Sequence, residues 1–242
     1  MTIAKPSQEL VDKVVYANRI LYNQGIVDGL GHVSVRHDTE PGVFLLSCNR
    51  APGLVERQDI VCYDYDGNAV SETTERPYLE RFIHGEIFRA RPDVMAVIHS
   101  HSENVIPFAV TRKPLRPVFH MAGFLGTGSA HFEIREAGGN TDMLIRSSYL
   151  GEALAKSLGQ HNCVLMRGHG STVVGTSIEQ VVYRAIYAEV NAKLQLSAMG
   201  LGDIEFLNSE EAKMASDTND SQIPRSWGLW IKRLGVVDLG TP

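Results

Sequence analysis

The chain has little cysteine, no long apolar run and no excess of basic charge, and each shortage excludes a class of function. Three cysteines, Cys48, Cys62 and Cys163, are too few and too widely spaced for a disulfide framework. No apolar stretch approaches the roughly 18 residues of a membrane-spanning helix. The first residues lack the basic, apolar and small-residue succession of a secretory leader. The formal net charge of −5 leaves no basic footprint for nucleic acid or an anionic membrane. These absences imply a cytoplasmic protein whose partner is a small molecule. An anionic substrate would be met by local cations or a metal ion, not by a global field.

What is present is ordinary globular composition, 43% hydrophobic and 21% charged over 242 residues. That is enough for one sizeable core without forcing a second. Residues 1–242 read as one domain, with 208–242 as a C-terminal extension. After Pro6-Ser7, the spacing of Leu10, Val14, Ala17 and Leu21 predicts a helix that stops at Asn23-Gln24-Gly25. Residues 32–35 and 43–46 read as strands, and 63–68 as a strand entering an Asp-Gly turn. Residues 77–91 read as a helix with Pro77 in its first turn and Arg91-Pro92 at its end. Further helices are predicted near 103–110, over 147–158 and 178–199, and as a short amphipathic piece over 226–234. Residues 94–98 and 163–166 read as short buried strands. The polar stretch 208–222 reads as a mobile segment. The pattern is a mixed α/β domain.

Nine histidines are present. His37, His131 and His161 sit among polar or turn-forming neighbours and read as surface residues. The stretch Val94-Met95-Ala96-Val97-Ile98-His99-Ser100-His101 is different, because an apolar strand ends in His-x-His. Residues i and i+2 of a strand share a face, so the two imidazoles converge. Such a pair suits a divalent metal, although two hydrogen-bonded polar residues at a strand exit would have the same spacing. A second apolar strand, Val164-Leu165-Met166, runs into His169 between two glycines that permit a tight turn. Three imidazoles would leave coordination positions open for substrate. Glu80 and His84 share a face of the preceding helix. The short turn at 91–93 folds that helix back toward His99, so Glu80 could serve as ligand, acid or base; a solvated glutamate fits the same spacing.

In this order, these pieces resemble the class II aldolase/adducin family. The likeness is carried by Glu80 through "RARPDVMAVIHSHS" and by "VLMRGHGS", and it extends over roughly residues 8–200. The resemblance implies a three-layer α/β/α sandwich, a homo-oligomer (tetramer or hexamer) and an active site near a subunit interface. It also implies one divalent ion per subunit on His99, His101 and His169. The catalytic glutamate maps to Glu80, which in some members also ligates the metal. The ion stays open among zinc, manganese, iron and cobalt, since three imidazoles and a carboxylate accommodate each.

The departures from the family pattern bear on the substrate. Its sugar-phosphate aldolases carry Gly-Asn-x-Ser near the start and Ser-Ser just before the glutamate, small groups that hold phosphate. Here those places are Gly31-His32-Val33-Ser34 and Tyr78-Leu79-Glu80. Leu79 cannot donate to phosphate, Tyr78 is far bulkier than serine, and burying a phosphate without donors is costly. The stretches "GHVSVRH", "NRAPGLV", "YLERFIHGEIFRARPDV", "RPVFHMAGFLG" and "FEIREAGGNTDMLI" instead resemble the decarboxylase branch. That branch includes hydroxy-methylpyridine-dicarboxylate and dihydroxyphthalate-type decarboxylases. It implies a metal-dependent decarboxylase of a hydroxylated aromatic or ring-cleavage-derived carboxylic acid. An aldolase acting on a hydroxy-keto acid or sugar phosphate is the alternative. A non-catalytic module is disfavoured because all three histidines and the glutamate are kept. His32, Arg50, His120 and His84 are the candidate substrate contacts. Arg50 offers a forked donor pair for a carboxylate, though a surface ion pair would also account for it. His84 could instead orient a neighbouring ligand. Tyr183, Arg184 and Tyr187 fit core packing and subunit contacts on the long helix.

Overall fold

In the computed structural model, which describes residues 3–235 and Leu239, the first helix starts where its capping residue predicts. Ser7 accepts a hydrogen bond from the Leu10 amide and opens α1 (Gln8–Asn23). Val14, Ala17 and Leu21 of α1 are buried against the sheet. The strands are β1 (His32–Arg36), β2 (Val43–Ser47), β3 (Ile60–Asp64), β4 (Ala96–Ser100), β5 (Ala130–Phe132), β6 (Cys163–Met166) and β7 (Gly170–Gly175). They form one sheet in the order β3-β2-β1-β4-β7-β6-β5. Every neighbouring pair is antiparallel except β5 with β6.

Helices cover both faces: α2 (Arg81–Ala90), α3 (Ile106–Thr111), α4 (Ile134–Gly138), α5 (Ser148–Leu158), α6 (Ile178–Met199), α7 (Ser209–Asp220) and α8 (Ile223–Arg233). One core unites Leu21 of α1, Phe108 of α3, Val182 of α6 and Trp227 of α8 with Val33, Ile98 and Leu165 of the sheet. The other unites Ile83 and Ile87 of α2 and Leu154 of α5 with Phe44, Val97 and Val164. Val97 and Ile98 fall in different cores because successive strand residues point to opposite faces. The result is the expected three-layer α/β/α sandwich. The three cysteines are free and buried. Burial pushes the Cys48 and Cys62 thiols up to about 11 and Cys163 up to about 12.

Four expectations are corrected. The helix placed at 77–91 begins at Arg81, so Tyr78 and Leu79 precede it and Glu80 sits at its N-cap. The stretch 208–222 is not a loop. Asn208 and Glu211 form a reciprocal capping box that starts α7, and α7 packs on the turn His120–Leu125. A methyl group on Gly123 would stand 2.4 Å from the Ala212 carbonyl oxygen of that helix. α8 begins at Ile223, with Pro224 in its first turn. His37 is buried: its Nδ1 accepts from the Thr39 and Glu40 amides, and Nε2 faces the Ala4 carbonyl. Strands β5 and β7 were not anticipated.

The helix that precedes the His-x-His strand is held by close backbone approach. A methyl group on Gly151 of α5 would lie 2.5 Å from the Phe82 carbonyl oxygen of α2. Gly151→Ala is therefore expected to lower stability by about 1–3 kcal/mol. Urea unfolding checks this, and an unchanged midpoint would show that the two helices slide apart freely.

Candidate metal centre

Sheet register brings the histidines together. β4 pairs with β7 so that His99 stands opposite Thr172 and Ser100 opposite Ser171. Between β6 and β7 the chain reverses through Arg167-Gly168-His169, with Gly168 at φ 66° and the His169 amide bonded to the Met166 carbonyl at 3.0 Å. Gly170 lets this turn approach β4: a methyl group there would sit 2.2 Å from the Ser100 carbonyl oxygen. His169 thereby stacks on His101 with ring centroids 5.1 Å apart. His99 Nε2 lies 3.1 Å from His101 Nε2.

Glu80 completes the group. Its Oε2 stands 3.5 Å from His169 Nε2 and 3.7 Å from His99 Nε2. Its Oε1 accepts from the Ile145 amide at 2.9 Å, which fixes the carboxylate's orientation. The four ligand atoms lie within 4.8 Å of one another.

The donor set fits a divalent ion. His99 Nδ1 faces the Ser171 carbonyl at 3.1 Å, so Nδ1 donates and Nε2 keeps its lone pair. Both ring nitrogens of His169 are buried without a hydrogen-bond partner, a costly state unless a cation takes one of them. Burial holds His99 well below the usual histidine range and also lowers His101. Burial opposes ionisation of Glu80, yet His169 and His99 pull its carboxyl far below the usual range. The pull from His99 requires positive charge that burial denies its imidazole. A bound cation reconciles the two, because it charges the site while leaving three neutral nitrogens and one carboxylate oxygen as ligands.

Beside the cluster, His32 pairs with His99 across β1 and β4, and their rings are 5.1 Å apart. His32 Nδ1 lies 2.6 Å from His84 Nε2, and His84 Nδ1 lies 2.6 Å from Ser34 Oγ. Tyr78 packs on His32 at 4.8 Å, while its hydroxyl donates to the Arg50 carbonyl. Arg50 spends Nε on the Leu54 carbonyl at 2.8 Å and the Asp59 carboxylate at 3.2 Å. His120 is not drawn into this group. It is exposed, its ring lies against Phe119, and its carbonyl accepts from Asn219 of α7. The other candidate histidines are thus gathered, and His131 and His161 bond backbone carbonyls of Ala109 and Gly128. Sequence reasoning did not single out Ser34, the Ile145 amide or Asp28. With Glu103 and Glu189, Asp28 lines a cleft of about 290 Å³ that ends on His101.

The family described as the class II aldolase and adducin N-terminal domain matches residues 12–196. The chain belongs to the class II aldolase/adducin family. It is 38% identical to decarboxylase tropJ of Talaromyces stipitatus over 92% of each chain. It is 32% identical to the 3,4-dihydroxyphthalate decarboxylase of Arthrobacter keyseri over 79% of each. Among solved structures, L-fuculose 1-phosphate aldolase from Glaciozyma antarctica superposes with a TM-score of 0.78 at 22% identity, covering 97% of this chain and 96% of that one. The chain therefore lies on the decarboxylase branch and is a carbon–carbon lyase. Among the described residues, no helix is long and apolar enough to cross a membrane.

Two outcomes are expected. His99→Ala should weaken metal retention by more than the roughly 10–100-fold that loss of an outer partner costs; metal content after dialysis measures it, and full retention removes His99 from the ligands. The second outcome concerns acid. Burial lowers His84 to about 3, so the folded chain binds fewer protons there than the unfolded one. Its contribution to stability is complete above about pH 6.5 and is lost as pH falls toward about 3. The metal-free protein should lose on the order of 1.4 kcal/mol per pH unit per such histidine between pH 6 and 5. Urea titrations at successive pH values read this slope, and a flat profile contradicts it.

Proposed function

We propose that the protein is a metal-dependent decarboxylase of a hydroxylated aromatic carboxylic acid, acting in aromatic catabolism. The observation that carries this reading is the wall immediately before Glu80. The Tyr78 hydroxyl is occupied by the Arg50 carbonyl, and Leu79 is 52% exposed with no polar group to offer. No hydroxyl pair stands there to receive a phosphate, while the Tyr78 and His32 rings, 4.8 Å apart, put aromatic groups in that place. The likeness to tropJ and to the dihydroxyphthalate decarboxylases supports the same choice.

A divalent ion on His99, His101 and His169 would supply Lewis-acid withdrawal of the electron pair left behind when carbon dioxide departs. The protein's own groups do the rest. Glu80 Oε1 is anchored by Ile145, so Oε2 alone is free to ligate or to carry a proton. His32 faces the cluster from the β1 side and is placed to contact a substrate oxygen. His84 stands behind His32. The Arg50 side chain is 40% exposed and its Nε is taken by Asp59 and Leu54, so its terminal nitrogens are candidates for a second carboxylate. The buried walls formed by Tyr78 and Ile145 restrict water near the nascent carbanion.

One assay separates the two lyase chemistries. With 3,4-dihydroxyphthalate as substrate, carbon dioxide release is expected, abolished by chelation and restored by added divalent metal. Glu80→Gln should lower kcat by roughly 10²–10⁴-fold while the fold persists. Aldehyde release from a hydroxy acid, with no carbon dioxide from any aromatic acid, would assign the aldolase reaction instead.

A further inference from the structure

The buried chain of Ser34, His84 and His32 has a direction. The contact of His32 Nδ1 with His84 Nε2 is 2.6 Å, and that of His84 Nδ1 with Ser34 Oγ is also 2.6 Å. Relative exposure is 4% for His32 and 0% for both others. So short a contact between two ring nitrogens holds one hydrogen: two would clash, and none would oppose two lone pairs.

Two arrangements meet that condition. In the first, His84 Nδ1–H donates to Ser34 Oγ, His32 Nδ1–H donates to His84 Nε2, and His32 Nε2 is left as a bare acceptor. In the second, the Ser34 hydroxyl donates to His84 Nδ1, His84 Nε2–H donates to His32 Nδ1, and His32 Nε2 carries a hydrogen. The first strands the Ser34 hydroxyl hydrogen, because Ser34 Oγ has no other partner among the described residues. The second leaves only the His32 Nε2 hydrogen without a protein partner, and His32 is the one member of the chain with any exposure. An unsatisfied hydrogen in a fully buried hydroxyl is costly, so the second arrangement is favoured.

We infer that Ser34 and His84 fix His32 as a neutral imidazole bearing its hydrogen on Nε2, a donor presented to a substrate oxygen beside the metal cluster. His32 Nε2 has no protein partner among the described residues and is not one of the sealed, orphaned atoms, so a ligand can reach it. A carboxylate or phenolate oxygen is the matching acceptor. The same hydrogen would keep His32, paired with His99 across the sheet, from acting as a further ligand beside the four grouped residues. A nitrogen that carries a hydrogen has no lone pair for a metal ion. Ser34 and His84 are thus positioning residues that keep the fourth imidazole for the substrate. The identity of the acceptor rests on the proposed function; the place of the hydrogen does not.

The test is nuclear magnetic resonance of the zinc-loaded protein with ¹⁵N-labelled histidines. The expected result is Nε2 protonated and Nδ1 bare on both His32 and His84, with coupling across the hydrogen bond from His84 Nε2 to His32 Nδ1. A hydrogen on His32 Nδ1 overturns the inference. In Ser34→Ala, the excess of the Nε2–H form, on the order of tenfold or more with serine present, should fall toward parity, and Ser34→Thr should restore it. An unchanged ratio in Ser34→Ala removes serine from the role, and the wild-type spectrum decides the hydrogen's place even if that variant does not fold. None of these readouts uses turnover, so failure of carbon dioxide release and failure of this inference are separate results.

Discussion

Four lone pairs gathered at one point, on two buried and two half-buried residues, are the constraint on which the molecule turns. His99, His101, His169 and Glu80 repel one another unless a cation sits among them, and burial removes the water that would otherwise soften the repulsion. The sheet has to hold them in place regardless. β4 lies at the middle of the strand order, with β1 on one side and β7 on the other, so neighbours on both edges restrain it. β7 brings the His169 turn into contact only because Gly170 has no side chain. β1 brings His32 to the same level. Slipping any of these strands by one residue would turn its histidine to the opposite face.

The substrate end obeys a different logic from the metal end. Around a bound ion the requirement would be for lone pairs; one residue away it is for hydrogens. His99 donates its Nδ1 hydrogen to a backbone carbonyl and so exposes a lone pair. His32 accepts at Nδ1 from His84 and so exposes a hydrogen. Two imidazoles 5.1 Å apart therefore take opposite roles, and the difference is set entirely by what lies behind each ring.

Much of this was legible in the sequence, for identifiable reasons. His-x-His at the end of an apolar strand encodes convergence because strand periodicity is two. Ser7 marks α1 because an N-cap is a local hydrogen bond. The layered fold came from likeness to a family; helix spacing and the turn at 91–93 offered Glu80, and the likeness added its catalytic role. What escaped was mostly long-range. Ser34 and His84 are 50 residues apart in sequence, and nothing local announces their contact. β7, rich in glycine, serine and threonine, lacks the apolar alternation of a strand; it is a strand because β4 and β6 flank it. The segment 208–222 looked polar because α7 buries few of its residues, yet Asn208-x-x-Glu211 is a start signal in plain view. His120 remained ambiguous because its neighbours in a single chain do not include the cluster.

The three cysteines add a property of a different kind. Each thiol is buried and held above the usual cysteine range, so little thiolate meets a reagent in solution. Cys62 lies on β3 at the sheet edge, while Cys163 lies on β6, flanked by β5 and β7. Fraying of the edge and opening of the interior are distinct events with distinct free energies. Alkylation of Cys62 would then time the loosening of the outer strand, and alkylation of Cys163 the opening of the strands that flank β6.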